Sequence, residues 1–335
     1  MKPAFKIYAN SKDITENVRD RLMEMVVTDE SGIKSDELRL TLDDRRQTNG
    51  AVAALPQIGT SLRVFLGYAE TGLVEMGTFK VDGFTLRHPP ATLTVNAKAA
   101  EMFAPFRSKK TRSWHDTTVG GIVSQIASEH GYSPKCDTEL ASIAIAHIDQ
   151  TSESDMAFLT RLAEANGGIS KPMGDMLVMA REGAAKSVTG KSMPVVSLSA
   201  EEITSWEYEY SARQPGGKAK GEEQGGEGGY RARWWDHYAG VTKEVLVGNP
   251  PYEDFRYQHA SEAEARRAAE AKLKKGKKKA KALSMTLPGK AEIGAECPLH
   301  IVLRPGLPTE WSISKAEHTL SNNGYTTRLE ANKKV

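Results

Sequence analysis

The chain has 335 residues, of which 39% are hydrophobic and 26% charged, with a formal net charge of +2. That length supports two or three domains with separate cores, and the near-neutral balance argues neither for a nucleic-acid binder nor for a strongly acidic protein. Two cysteines, Cys136 and Cys297, supply neither a disulfide framework nor a metal-site spacing, and no apolar run is long enough to span a bilayer. Met1-Lys2-Pro3-Ala4-Phe5 leads straight into strand pattern instead of a signal-peptide core, so an unexported protein is expected.

The first region, residues 1–107, reads as strands with period two. Phe5-Lys6-Ile7-Tyr8 is one, and in Glu37-Leu38-Arg39-Leu40-Thr41-Leu42 three leucines share one face while Glu37, Arg39 and Thr41 share the other. Asp43-Asp44 and Gly67 to Gly72 supply turns, and the region is expected to close as a first antiparallel β-barrel.

Residues 108–192 change period. Val119, Ile122, Val123 and Ile126 form one face of a short helix that Gly131 stops. In a second helix Ser152 is the expected N-cap, Phe158, Leu159 and Leu162 form the apolar stripe, and Gly167-Gly168 ends it. Met176 to Met179 reads as one strand of a hairpin, which completes a small α+β domain.

Residues 193–335 are expected to form a second β-barrel, with a glycine-rich hairpin tip at 214–229 and an inserted lysine-rich helix at 261–282. Trp206, Tyr208 and Tyr210 alternate with Glu207 and Glu209, and Trp234 and Trp235 follow the tip. Most of these rings are expected in the barrel core, and any that point outward are candidate interface anchors. The helix is alanine rich and has few large apolar residues to dock it. Its lysine run from Lys272 to Lys281 lacks interleaved aromatics, so a solvated or partner-docking face is favoured over nucleic-acid contact.

The last segment repeats the plan of the first region. Ile58-Gly59 precedes Ser61 to Leu66, then Phe79-Lys80-Val81, a turn at His88-Pro89-Pro90, and Thr94 to Ala97. Ile293-Gly294 precedes Leu299 to Leu303, then Trp311-Ser312-Ile313, a turn at Asn322-Asn323-Gly324, and Thr327 to Ala331. Two related barrels in one polypeptide are therefore expected, flanking the α+β domain, in a mainly β fold.

Motifs for chemistry are weak. Eight histidines are scattered without a His-Glu-x-x-His grouping, no Gly-x-Ser-x-Gly elbow occurs, and Trp114-His115-Asp116 places its neighbours on opposite faces of an extended chain. Asp43-Asp44 and Glu201-Glu202 are paired only in sequence, and Gly225-Gly226-Glu227-Gly228-Gly229 lacks the Gly-Lys-Ser/Thr of a phosphate loop. No catalytic, cofactor-binding or metal-ligating residues are assigned.

Gln150-Thr151-Ser152-Glu153-Ser154-Asp155-Met156-Ala157-Phe158-Leu159-Thr160-Arg161-Leu162 carries a family resemblance. Gln150, Glu153, Ser154, Asp155, Phe158, Leu159, Arg161 and Leu162 match the Gln-x-x-Glu-Ser-Asp-x-x-Phe-Leu-x-Arg-Leu pattern of hubs of contractile injection machines. In overall layout the chain resembles the late control D family of contractile-tailed phages, relatives of R-type pyocin hubs and of the type VI secretion spike body. The resemblance implies a structural baseplate hub in the virion tail, assembled in the host cytoplasm. It further implies a homotrimer that joins the sixfold tail tube to the threefold central spike and contacts other baseplate proteins and the tape measure. The pattern is expected to be architectural, with Arg161 reaching either a neighbour or a surface ion-pair partner. A peptidoglycan-binding or lytic tail protein is the alternative, because the helix beginning at Thr117-Thr118-Val119 faintly resembles the first helix of small wall-binding modules. A DNA-binding tail component that uses the lysine-rich helix is a weaker third reading.

Overall fold

The computed structural model describes all residues except 32–34, 47–49, 51, 100–105, 107, 174–175, 182–192, 211–227, 237–238, 280 and 334–335. The first unit contains β1 (Pro3–Ala9), β2 (Lys12–Asp13), β3 (Leu22–Glu30), β4 (Glu37–Asp43), β5 (Ser61–Tyr68), β6 (Gly72–Arg87) and β7 (Thr92–Lys98). Alternation decides which side chains go inside. Leu38, Leu40 and Leu42 of β4 are buried with Leu62, Val64 and Leu66 of β5, and with Phe79 and Val81 of β6, in one core.

The insert follows: β8 (Lys109–Thr118), a helix over Val119–Glu129, β9 (Ser133–Cys136), β10 (Ala144–Ser154), a helix over Asp155–Ala165, and the hairpin β11 (Gly168–Met173) and β12 (Met176–Arg181). Its core joins Val119, Ile122, Val123 and Ile126 to Phe158, Leu159 and Leu162. The second helix begins two residues later than expected. Ser154, not Ser152, is its N-cap, with Oγ accepting from the Ala157 amide at 3.2 Å. Ser152 instead lies in a bulge of β10 at φ +48°, where its amide donates to Thr111 Oγ1. β10 continues through Ser154, so the chain is still extended where a helix start was expected.

The second unit contains β13 (Val196–Leu198) and β14 (Ser205–Tyr210). Next comes a separate sheet of β15 (Gly229–Asp236), β16 (Val241–Val247) and β17 (Tyr252–Asp254), with a helix over Glu262–Lys279. β18 (Lys281–Pro288), β19 (Pro298–Ile301), β20 (Glu310–Ser321) and β21 (Gly324–Lys333) complete the unit. Two expectations change here. The expected hairpin tip at 214–229 lies, over 214–227, outside the described residues, and the described strands on either side, β14 and β15, pair in different sheets. β15 to β17 and the helix also have their own core of Tyr230, Ala232, Val245, Ala265 and Ala269, apart from that of the second unit. The alanine-rich helix docks because its alanines are small, which lets it approach the sheet closely with Ala265 and Ala269 fully buried.

The two β units share one plan. Read across the sheet, the first runs β3-β4-β7-β6-β5-β1 and the second β14-β18-β21-β20-β19-β13, with corresponding strands in the same chain order. Every neighbouring pair is antiparallel in both, except that β1 pairs antiparallel with β5 whereas β13 pairs parallel with β19. The details repeat as well. Leu62 faces Phe79 and Leu299 faces Trp311, and each central strand carries a bulge just afterwards, between Val81 and Gly83 and between Ile313 and Lys315. Gly59 donates its amide to the Val81 carbonyl at 2.8 Å, and Glu296 donates to that of Ile313 at 2.8 Å. Gly59 (φ +84°) therefore corresponds to Glu296 (φ +65°), two residues beyond the Gly294 suggested by sequence.

The fold is mainly β with an α+β insert. Its two β units are not separate sheets, however: Lys315–Ser321 of β20 pairs antiparallel with Glu24–Glu30 of β3, which joins all of these strands into one 13-stranded sheet.

Candidate functional site

Within the Gln150–Leu162 pattern, Gln150 bonds Asp155, whose other partners come from outside the pattern. The Asp155 carboxylate is fully buried at the start of its helix. Oδ2 accepts from Lys110 Nζ at 2.6 Å and lies 2.7 Å from His130 Nε2; Oδ1 accepts from Arg112 at 2.7 Å and from Gln150 Nε2 at 2.9 Å. Burial by itself would raise the Asp155 pKa, but the bonds from His130, Lys110 and Gln150 and the charge of Arg112 outweigh it and hold the carboxyl at about 2. Glu129 accepts from the same Lys110 and Arg112, at 3.1 and 2.7 Å. Gln150, also fully buried, accepts from Arg112 Nε at 2.9 Å and donates to the Glu153 carbonyl at 2.9 Å.

The cluster ties β8, β10 and the helices over Val119–Glu129 and Asp155–Ala165 together. Lys110 and Arg112 escaped sequence reasoning, although their i, i+2 spacing with the buried Trp114 was the available signal, and Arg112 stacks 4.5 Å over that ring. Glu129, His130 and Asp155 come close enough to offer three ligands to a metal ion. Lys110 and Arg112 already occupy those carboxylate oxygens, which makes the arrangement an ion-pair network and a poor cation cradle.

Phe158, Leu159 and Leu162 are core. Arg161 turns back within its own chain: it pairs with Glu153 at 2.9 Å, donates to the Asp149 carbonyl at 2.8 Å and lies 5.3 Å over Phe158. The helix compared with wall-binding modules buries its apolar face in the same core. His115 and His147 meet across β8 and β10, their Nδ1 atoms 3.1 Å apart, on an exposed surface. Glu202 is bonded to the Ser199 amide and to Lys290.

A second cluster lies where the β units join. Lys171 of the insert donates to the Glu30 carbonyl at 3.1 Å, and Asp29 Oδ2 accepts from the Ala295 amide at 2.8 Å. Burial and the neighbouring charge of Asp29 push the Asp36 carboxyl up to about 6. His318 is fully buried between Tyr325 Oη (3.0 Å) and the Ile293 carbonyl (3.0 Å), and burial lowers its pKa. Polar contacts thus join the insert to β3, and β3 to the segment before β19, while His318 of β20 is satisfied within its own unit.

The five candidate interface aromatics divide. Tyr208 is half-buried against Trp311, at 6.0 Å between ring centroids. Trp206 and Tyr210 stand out from β14. Contrary to expectation, Trp234 and Trp235 belong to neither barrel core. Both are on β15, where Trp234 packs against the core under the helix and the exposed Trp235 lines a cleft of about 1440 Å³ that Arg161 also lines. In the lysine-rich helix, Lys272 bonds Glu253 at 2.7 Å and sits over Tyr230 and Phe255, so this lysine is engaged internally.

Comparison with known proteins adds an independent result. The family model described as phage tail baseplate hub (GPD) matches residues 30–324. A probable baseplate hub protein of Escherichia phage 186 is 31% identical, over 100% of this chain and 94% of that protein. Its counterpart in Escherichia phage P2 is 32% identical over 98% of this chain and 93% of its own length. Among solved structures, the 43 kDa tail protein of prophage MuSo2 from Shewanella oneidensis superposes with a TM-score of 0.72 at 14% identity, covering 99% of this chain and 98% of that one.

Proposed function

The chain belongs to the phage tail baseplate hub family, and on that premise we propose that it works as a homotrimeric adaptor between the sixfold tail tube and the threefold central spike. The observation that carries this reading is the repeated strand plan. Two like-built units in each chain let three chains offer six similar surfaces in a ring while keeping threefold symmetry elsewhere. The work is assembly, done by backbone pairing at strand edges and burial of apolar side chains between subunits. The Asp155 cluster serves it by holding the insert rigid, and no catalytic step is assigned.

Light scattering at micromolar concentration tests the adaptor. A particle of three times the 36.6 kDa chain mass is expected, alone or once spike protein is added. A stable monomer under both conditions would overturn the reading.

A further inference from the structure

Resting on the trimer reading, we propose that residues Phe84–Arg87 of one subunit pair antiparallel with Glu207–Tyr210 of the next. The register sets Phe84 against Tyr210, Thr85 against Glu209, Leu86 against Tyr208 and Arg87 against Glu207.

The junction inside the chain is the template. The row Phe84-Val95-Leu40-Met25 across the first unit matches the row Ala316-Leu329-Met285-Trp206 across the second. Past its bulge, β20 of the second unit pairs with β3 of the first, Ala316 against Asp29 and His318 against Val27. The counterpart of that stretch of β20 is Gly83–Arg87 of β6, and the counterpart of β3 is β14. Carrying the pairing over gives the register above.

Among the described residues, both counterparts have a bare edge. β5 reaches along β6 only as far as Lys80, and β14 ends the sheet. At the internal junction Ala316, His318 and Met25 are 0% exposed and Val27 is 1% exposed. Their counterparts Phe84, Leu86 and Trp206 are 38%, 51% and 44% exposed, with Tyr208, the counterpart of Val27, half-buried; Tyr210, which corresponds to the half-buried Asp29, is 58% exposed. Positions covered in one copy of the plan and bare in the other lack a neighbour among the described residues, and a second copy of this chain supplies it. The residue types agree: an aromatic pair, an apolar–aromatic pair and an opposite-charge pair face each other, each a favourable cross-strand match. Because the two patches differ, the contact is head-to-tail and propagates around a ring, so internal and intersubunit junctions alternate.

Disulfide trapping in the full-length protein tests the register, since directly opposed strand residues bring Cα atoms within bridging distance. The double variant Thr85→Cys with Glu209→Cys is expected to form covalent dimers and trimers on mild oxidation, whereas Thr85→Cys with Ser205→Cys, four residues out of register, is not. Arg87→Glu alone and Glu207→Arg alone are each expected to weaken assembly by roughly fivefold or more, with recovery when both are combined. All these side chains are surface groups in the single chain, so folding is kept. A wild-type trimer that gives no in-register cross-link, or equal cross-linking of both pairs, overturns the pairing and leaves the adaptor standing. A wild type that never assembles overturns both.

Discussion

At the scale of single residues, the buried charges show how much was hidden from sequence. Asp155 was legible as part of a helix start, but its four partners lie at positions 110, 112, 130 and 150, with Glu129 sharing the first two, and alternation along any one element does not connect them. Its folded pKa of about 2 lies below the usual 3.8, so its contribution to stability is complete above about pH 4 and is lost as pH falls towards 2. Asp155→Asn leaves Lys110 and Arg112 without their buried counter-charge. It is expected to destabilise the insert by about 3 kcal/mol at pH 7 and to flatten the acid limb of the stability curve, as read by denaturant melts from pH 2 to pH 7. Unchanged melts at both ends would show that the cluster is not what holds the insert.

At the scale of elements, strand and helix identity followed from periodicity, while boundaries and partners did not. Ser152 looked like the better cap because it stands three residues before Asp155, yet the bulge in β10 keeps the chain extended through Ser154. Ser154→Ala is therefore expected to cost about 1 kcal/mol in thermal or chemical melts. Ser152→Gly is expected to be neutral or slightly stabilising, because glycine accepts a positive φ without strain. The reverse ranking would return the cap to Ser152. The alanine-rich helix carried a similar ambiguity: its lack of large apolar side chains suggested a loose element, and the same smallness lets Ala265 and Ala269 sit flush against β15 and β16.

For the whole molecule, the seam between β20 and β3 decides how the two units behave. Because the pairing runs from Lys315 to Ser321 and Asp29 of β3 accepts across it from the Ala295 amide, the units are expected to open together. Hydrogen exchange is expected to give a common opening free energy for the amides of β4 in one unit and β21 in the other. Leu320→Asp at the seam is expected to lower both. Protection that falls in only one unit would show that the shared sheet is not a cooperative body.

The sequence by itself determined the β class, the two-copy plan, the period change at the insert and the family, because alternation, glycine-bounded turns and a short motif are local signals. The tertiary structure alone decided that the copies share one sheet and that Lys110 and Arg112 neutralise Asp155. It likewise showed that Trp234 and Trp235 belong to a separate helix-bearing sheet and that, among the described residues, Gly83–Arg87 and Ser205–Tyr210 keep bare edges. These are matters of pairing between residues far apart in the chain. Period-two patterning says which face of a strand is buried but not which strand lies beside it.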